Sequence, residues 1–273
     1  MAMTRRNFIK AFGAAATVAG LGLAGCSGGD SGSGSASGDG ASKLQTIKDR
    51  GVLNCGVKAD VLGYGYLNTE TNEYEGLEID LCYQIAAAVL ETTYEEAKEQ
   101  GLCEFTTVTP STRGTLIDSG QLDIVAATYT ITPEREEDWD FSTPYRTDSV
   151  GIMVKSANGW TSMEDLDGQT IGVSTGSTSM EALIAAAAEN GVTLTQADNF
   201  AEYATYPEIK TALDAGRVDA FCVDGSILSG YLDDTVEILD SIRFSPQEYG
   251  IATALSNTDQ AEYLDDLRMA SHV

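Results

Sequence analysis

Three cations stand where apolar, extended runs give way to turns: Lys58 after Gly51–Val57, Arg113 in Ser111-Thr112-Arg113-Gly114, and Arg135 in Thr132-Pro133-Glu134-Arg135. A guanidinium grips a carboxylate through two parallel hydrogen bonds, whereas an ammonium acts as a point charge. Arg135 opens a short helix after the strand-like run 122–128 and is placed to make such a grip. Thr128 and Thr130 are two apart on an extended segment and so present one face. Ser177 and Thr178 precede a helical pattern, where unpaired N–H groups and the helix dipole favour an anion. Asp224 ends the apolar run 218–223 and supplies a fixed anion. Each residue also has a plainer reading: Arg135 as a first-turn surface residue, Ser-Thr as an N-cap, Lys58 as a solvated lysine at a strand end.

Composition excludes whole classes of chemistry. The 273 residues carry 16 Lys+Arg against 42 Asp+Glu, a formal net charge of −26. Such a chain repels nucleic acid, whose binding requires a basic face. The single histidine, His272, is penultimate, which leaves little for a catalytic triad or a histidine metal site. Cys55, Cys82, Cys103 and Cys222 lack the paired spacing of a zinc site. They read as buried thiols, with a Cys82–Cys103 bridge an open possibility in an exported protein. Neither a metal nor a cofactor is expected.

The elements that must position these residues begin after a leader. Arg5-Arg6-Asn7-Phe8-Ile9-Lys10 precedes an apolar run from Ala11 to Gly25 that is too short to span a bilayer. It resembles a twin-arginine export signal, and Leu23-Ala24-Gly25-Cys26 resembles a bacterial lipobox with Cys26 as the lipidated residue. Residues 27–42, almost only Ser, Gly, Ala and Asp, form a flexible tether to the membrane. Loss of residues 1–25 removes three cations and no acid, leaving a net −29.

From Lys43 the chain alternates strand and helix patterns. Strands are expected at Gly51–Val57, Cys103–Val108 and Leu122–Ala127, with helices at Leu77–Leu90, where Leu77, Leu81, Ile85 and Val89 form the apolar face, and at Thr112–Ser119. A second series runs through Thr170–Val173, the Met180–Ala188 helix and Val218–Val223. Two such series predict two α/β lobes. Ser149–Val154 and the stretch near Tyr249–Thr253 are the expected crossings between them.

From about Val52 to Asp266 the chain resembles the extracellular solute-binding proteins of polar amino-acid ABC transporters. The resemblance is carried by Gly56-Val57-Lys58-Ala59-Asp60, Tyr74–Asp80, Gly120–Ala127, Thr128–Arg135, Asp140–Tyr145, Gly172–Thr178 and Ala215–Ala220, in that order. It implies an α/β, two-lobe periplasmic-binding-protein fold of type II with a two-strand hinge. Lobe 1 would span 43–148 plus 250–273 and lobe 2 would span 149–249. It also implies an amino-acid ligand held by its α-carboxylate on Arg135 and its α-ammonium on Asp224, and delivery by a monomer to a membrane permease, without catalysis, on the outer face of the cell membrane or in the periplasm. Lys58-Ala59-Asp60, Thr112-Arg113-Gly114 and Thr205-Tyr206-Pro207 look like the aspartate/glutamate-binding members, in which the Arg meets the distal carboxylate and the Tyr assists. With Lys58 and Arg113 at the carboxyl ends of strands, where open α/β sheets bind ligands, an acidic amino acid is the expected solute. Glutamine, histidine or cystine is the alternative. A dehydratase or lytic enzyme on the same fold, with Glu134 or Asp224 as catalytic acid, is a remoter one, as is a sensory binding lobe. Members of the family continue past the Ala261–Asp266 helix with a helix that packs on the first lobe. The ending Arg268–Val273 does not resemble it and points to an altered or truncated C-terminus.

Overall fold

A computed structural model describes residues 43–255. The leader, Cys26, the linker and the Ala261–Asp266 segment with the ending after it lie outside the described residues.

Helix α1 (Lys43–Arg50) leads into β1 (Leu53–Val57), almost wholly buried, as a central parallel strand must be. A short antiparallel meander follows: β2 (Asp60–Val61), β3 (Gly65–Asn68) and β4 (Glu73–Glu75). Helix α2 (Leu77–Val89) packs Leu81, Ile85 and Val89 of the expected apolar stripe into the core around β1, and only its first residue departs from that pattern. Leu77 is 41% exposed while Glu78 is fully buried, because the acid finds partners inside that the leucine does not need. Helix α3 (Tyr94–Gln100) is delimited by a Thr93/Glu96 capping box and by Gly101 in the left-handed region. Then come β5 (Cys103–Thr107), α4 (Arg113–Asp118), β6 (Ile124–Ala126), α5 (Pro133–Glu136) and β7 (Trp139–Phe141).

The chain next builds β8 (Arg146–Lys155), β9 (Ile171–Ser174), α6 (Ser179–Glu189), α7 (Gln196–Asn199), β10 (Phe200–Tyr203) and α8 (Tyr206–Asp214). It continues with β11 (Ala220–Asp224), α9 (Gly225–Ser229), β12 (Val236–Ile238) and β13 (Phe244–Tyr249), then returns with β14 (Ala252–Ala254). Two sheets result. The first has the order β5-β1-β6-β14-β7, with β1 parallel to β5 and β6. The second has the order β10-β9-β11-β8-β12, with β13 also on β8. Parallel neighbours demand helical crossovers, and α2, α6 and α8 supply them.

The sequence places one crossing at Ser149–Val154, but β8 lies wholly in the second sheet, paired with β11, β12 and β13. The reason is burial on both faces: Val150, Ile152 and Val154 enter one core cluster and Met153 another. The chain actually crosses between β7 and β8, and again between β13 and β14 where expected. The two crossings run antiparallel, joined by Tyr145 N–H to Tyr249 C=O at 2.9 Å and Ser142 N–H to Ile251 C=O at 2.9 Å.

Cys55, Cys82, Cys103 and Cys222 are buried free thiols, so no Cys82–Cys103 bridge forms. The first three share the core of the first lobe.

Candidate functional site

Arg135 is positioned by its own helix start. Thr132 caps α5 by accepting the Arg135 N–H at 3.3 Å, and Pro133 supplies the first helical residue with its φ already set. The guanidinium then turns back over the strand end. It donates from Nη1 to Thr130 C=O at 2.7 Å and from Nη2 to Gly176 C=O of the second lobe at 3.2 Å. Its carbon lies 4.8 Å from the centroid of the Tyr129 ring, and the Arg113 guanidinium lies 3.6 Å from the same centroid. One aromatic face system thus supports two cations that would otherwise repel. Burial and then Arg113 push the Arg135 guanidinium down to about 10, so it stays charged at neutral pH.

Arg113 is 3% exposed. It donates to Ala127 C=O at 2.8 Å, while its Nε has no hydrogen-bond partner among the described residues. A buried guanidinium N–H without a partner is costly. Lys58, at the end of β1, is not the solvated lysine of the plainer reading. It is 1% exposed, its Nζ lies 3.1 Å from Asp60 Oδ1, and it sits 4.5 Å above the Tyr206 ring. Burial lowers its basicity and Asp60 opposes that shift. Asp60 in turn accepts from the Tyr206 N–H at 3.4 Å and, at its backbone oxygen, from the Tyr231 hydroxyl at 2.6 Å. These contacts join the lobes.

Asp224 ends β11 inside the protein and accepts from the Tyr249 hydroxyl at 2.6 Å. Burial pushes its carboxyl up to about 7; Asp148 adds to the rise, while the Tyr249 bond and the charges of Arg113 and Arg135 oppose it. Thr128 holds a left-handed φ of 42°, and its N–H donates to Glu78 Oε1 at 2.5 Å. Glu78 also accepts from the Tyr145 hydroxyl on the first crossing. Thr130 and Thr178 both donate to Gln247 Oε1, each at 2.8 Å. Ser177 is the exception among the predicted residues, for its hydroxyl caps the Ser179 N–H at 3.4 Å. Gly176 (φ 81°) lets the α6 turn approach the first lobe: a Cβ there would lie 2.9 Å from Ser111 Cα.

The sequence therefore identifies one constellation at the seam between the lobes but misses its counter-charges. Lys58, Arg113 and Arg135 interact with Asp60, Glu78 and Asp224, and Asp148 adds a further carboxylate beside Asp224. Glu78 and Gln247 carry no sequence signal of their own, since both are defined by partners far along the chain.

Two sheets linked by two antiparallel crossings, with a buried set of opposed charges at their seam, make the two-lobe fold of periplasmic binding proteins. Lys58, Arg113 and Asp224 at that seam are buried. A profile described as bacterial extracellular solute-binding proteins, family 3, matches residues 53–199, and the chain belongs to that family. The glutamine-binding protein of Geobacillus stearothermophilus is 34% identical over 79% of this chain and 77% of its own length. The glutamate-binding protein GluB of Corynebacterium glutamicum is 31% identical over 94% of this chain and 83% of its own. Among solved structures, an ABC transporter periplasmic binding protein from Brucella ovis with glutathione bound superposes with a TM-score of 0.73 at 26% identity, over 85% of this chain and 70% of that one. These relatives are named for binding and not for catalysis, in line with a protein that is not an enzyme.

Proposed function

We propose that this protein captures a polar amino acid, glutamate or aspartate first, outside the cell and delivers it to an ABC permease. The observation that carries the reading is the opposition of half-buried Arg135 and buried Arg113 to buried Asp224 at the seam between the lobes. A zwitterion needs one fixed cation, one fixed anion and neutral partners between them, and Thr128, Thr130 and Thr178 are those partners. Arg135 takes the α-carboxylate and Asp224 the α-ammonium. Arg113, with its unpartnered Nε, takes the distal carboxylate, and Tyr206 lines the same side with Lys58. Because Lys58 is engaged by Asp60, its part is to join the lobes around the ligand rather than to grip it alone. The first lobe, 43–145 with 250–255, and the second, 146–249, close on the ligand, and a lipid on Cys26 tethers the monomer to the membrane. A ligand touching both lobes stabilises closure through its differential contacts.

One observation favours a second solute. Glutamine-binding relatives are similar to this chain. Calorimetry of Arg113→Ala separates the two. A charge-assisted bond contributes about 1.5–3 kcal/mol, so glutamate and aspartate should weaken by about 10- to 150-fold and glutamine by less. Unchanged affinity for both acidic amino acids overturns the acidic assignment.

A further inference from the structure

Val61 and Tyr64 lie where β2 turns into β3, in the chain of the first lobe. Both are buried, yet the apolar cluster they enter draws all its other buried members, Phe221, Ile227 and Leu228 among them, from the second lobe. The insertion is one-way: among the described residues, the first lobe's own clusters bury nothing from the second. Polar contacts flank it. The Tyr231 hydroxyl donates to Asp60 C=O at 2.6 Å. Tyr231 is itself fixed to the second lobe, by its N–H on Leu228 C=O at 2.9 Å and by its ring edge-on to Phe221, 6.0 Å between centroids. Tyr206 opens α8, so its N–H has no helical carbonyl to bond. It donates to Asp60 Oδ2 at 3.4 Å. Gly230 lets the two lobes approach, for a Cβ there would lie 3.3 Å from Leu62 Cβ.

Resting on the reading that capture closes the lobes on a solute, we infer that the β2–β3 turn is a latch: Val61 seated in the second lobe and Tyr231 bonded to Asp60 hold the lobes together whatever the solute, and so set affinity without setting selectivity. Val61 offers no polar atom, and the one proton of the Tyr231 hydroxyl is committed to Asp60. Opening the lobes returns the Val61 side chain to water and breaks the bonds to Asp60, and that cost is the same for every solute. An apparent dissociation constant is the intrinsic one divided by the closed fraction. A weaker latch therefore multiplies the constant of every solute by one factor. Val61 and Tyr231 are positioning residues in this account, distinct from the residues that grip the solute.

Two measurements on the full chain test it. Calorimetry compares L-glutamate, L-aspartate and L-glutamine in wild type, Tyr231→Phe and Val61→Ala. Hydrogen exchange without solute follows the Tyr206 amide, whose partner is on the opposite lobe. Both read one equilibrium: lobes that rest open show the lost latch as weaker affinity, and lobes that rest closed show it as faster exchange. The product of the two factors is the latch's own contribution. That product should be about 2- to 10-fold for Tyr231→Phe, which keeps the ring on Phe221, and roughly tenfold for Val61→Ala. The three amino acids should weaken equally within about twofold, while amides of β1 and β11 exchange as in wild type. A product near one in both variants overturns the inference. So do losses that differ among the three by more than about threefold, or core amides that accelerate as much as Tyr206. A wild type that binds none of the three overturns the amino-acid reading instead. The exchange then decides the latch alone, and an unchanged Tyr206 rate in both variants removes it.

Discussion

Arg135→Ala abolishes capture of any amino acid. The side chain offers two parallel, charge-assisted bonds to a carboxylate that every amino acid carries, each contributing about 1.5–3 kcal/mol. Together they amount to about 3–6 kcal/mol, a loss of roughly 10² to 10⁴ in affinity, which takes a micromolar ligand to between about 0.1 and 10 mM. The expected damage is to binding and not to the fold. In the unliganded protein Arg135 is half-buried beside Arg113, and its charge is disfavoured by both facts. Removing it relieves a repulsion while giving up the bonds to Thr130 and Gly176. Thermal unfolding of unliganded Arg135→Ala should therefore stay near wild type while calorimetry detects no ligand. Arg135→Lys keeps the charge without the planar fork and should recover only part of the affinity. Retention of near-wild-type affinity by Arg135→Ala would show that the carboxylate is held elsewhere.

Acidification weakens the ligand through Asp224. An ordinary aspartate ionises near 3.9, but burial lifts this one to about 7 in the unliganded protein. The α-ammonium needs the ionised form. Above pH 7 the carboxylate is charged and affinity is at its plateau. Below it, each pH unit cuts the ionised fraction of the unliganded protein about tenfold, so affinity falls about tenfold per unit until the liganded form protonates as well. The ligand is not the cause over that range, since its ammonium stays protonated and its carboxylates stay ionised down to about pH 4–5. The sign is reversed for the unliganded fold. A buried carboxylate with a raised pKa costs stability as it ionises, so that cost is present above pH 7 and fades on acidification. Asp224→Asn should bind weakly at every pH and lose the slope between pH 5 and 7. A wild-type affinity flat across that interval, measured by calorimetry at several pH values, would remove Asp224 from the ammonium site.

Much of this site was legible from local signals. Thr132-Pro133 announces a capped helix start and so places Arg135, and the apolar run before Asp224 announces a buried strand with the acid at its end. The two α/β series likewise follow from strand and helix periodicity, with element ends within a residue or two of those expected. What could not be read depends on tertiary partners. Periodicity assigned Leu77 to the core, yet the buried position is Glu78, whose acceptors serve Thr128 and Tyr145 from 50 and 67 residues away. Lys58 was visible as a cation at a strand end, but its neutralisation by Asp60 depends on the turn into β2. Gln247 is a polar residue in a short irregular strand, and its importance comes from Thr130, 117 residues distant, and Thr178, 69 residues distant. The second crossing was placed correctly because Tyr249-Gly250-Ile251-Ala252 belongs to both sheets. The first was misplaced because an apolar run does not reveal which sheet buries it.

The most direct test is a thermal-shift screen of the purified protein against the twenty amino acids. A ligand at 100 times its dissociation constant adds about 2.7 kcal/mol of stability, which raises the unfolding midpoint of a domain this size by about 5–10 °C. The account predicts that rise for glutamate or aspartate, or for glutamine on the second reading, with most other amino acids giving little or none. No shift with any amino acid, together with a clear shift for a solute lacking either the α-carboxylate or the α-ammonium, would contradict it.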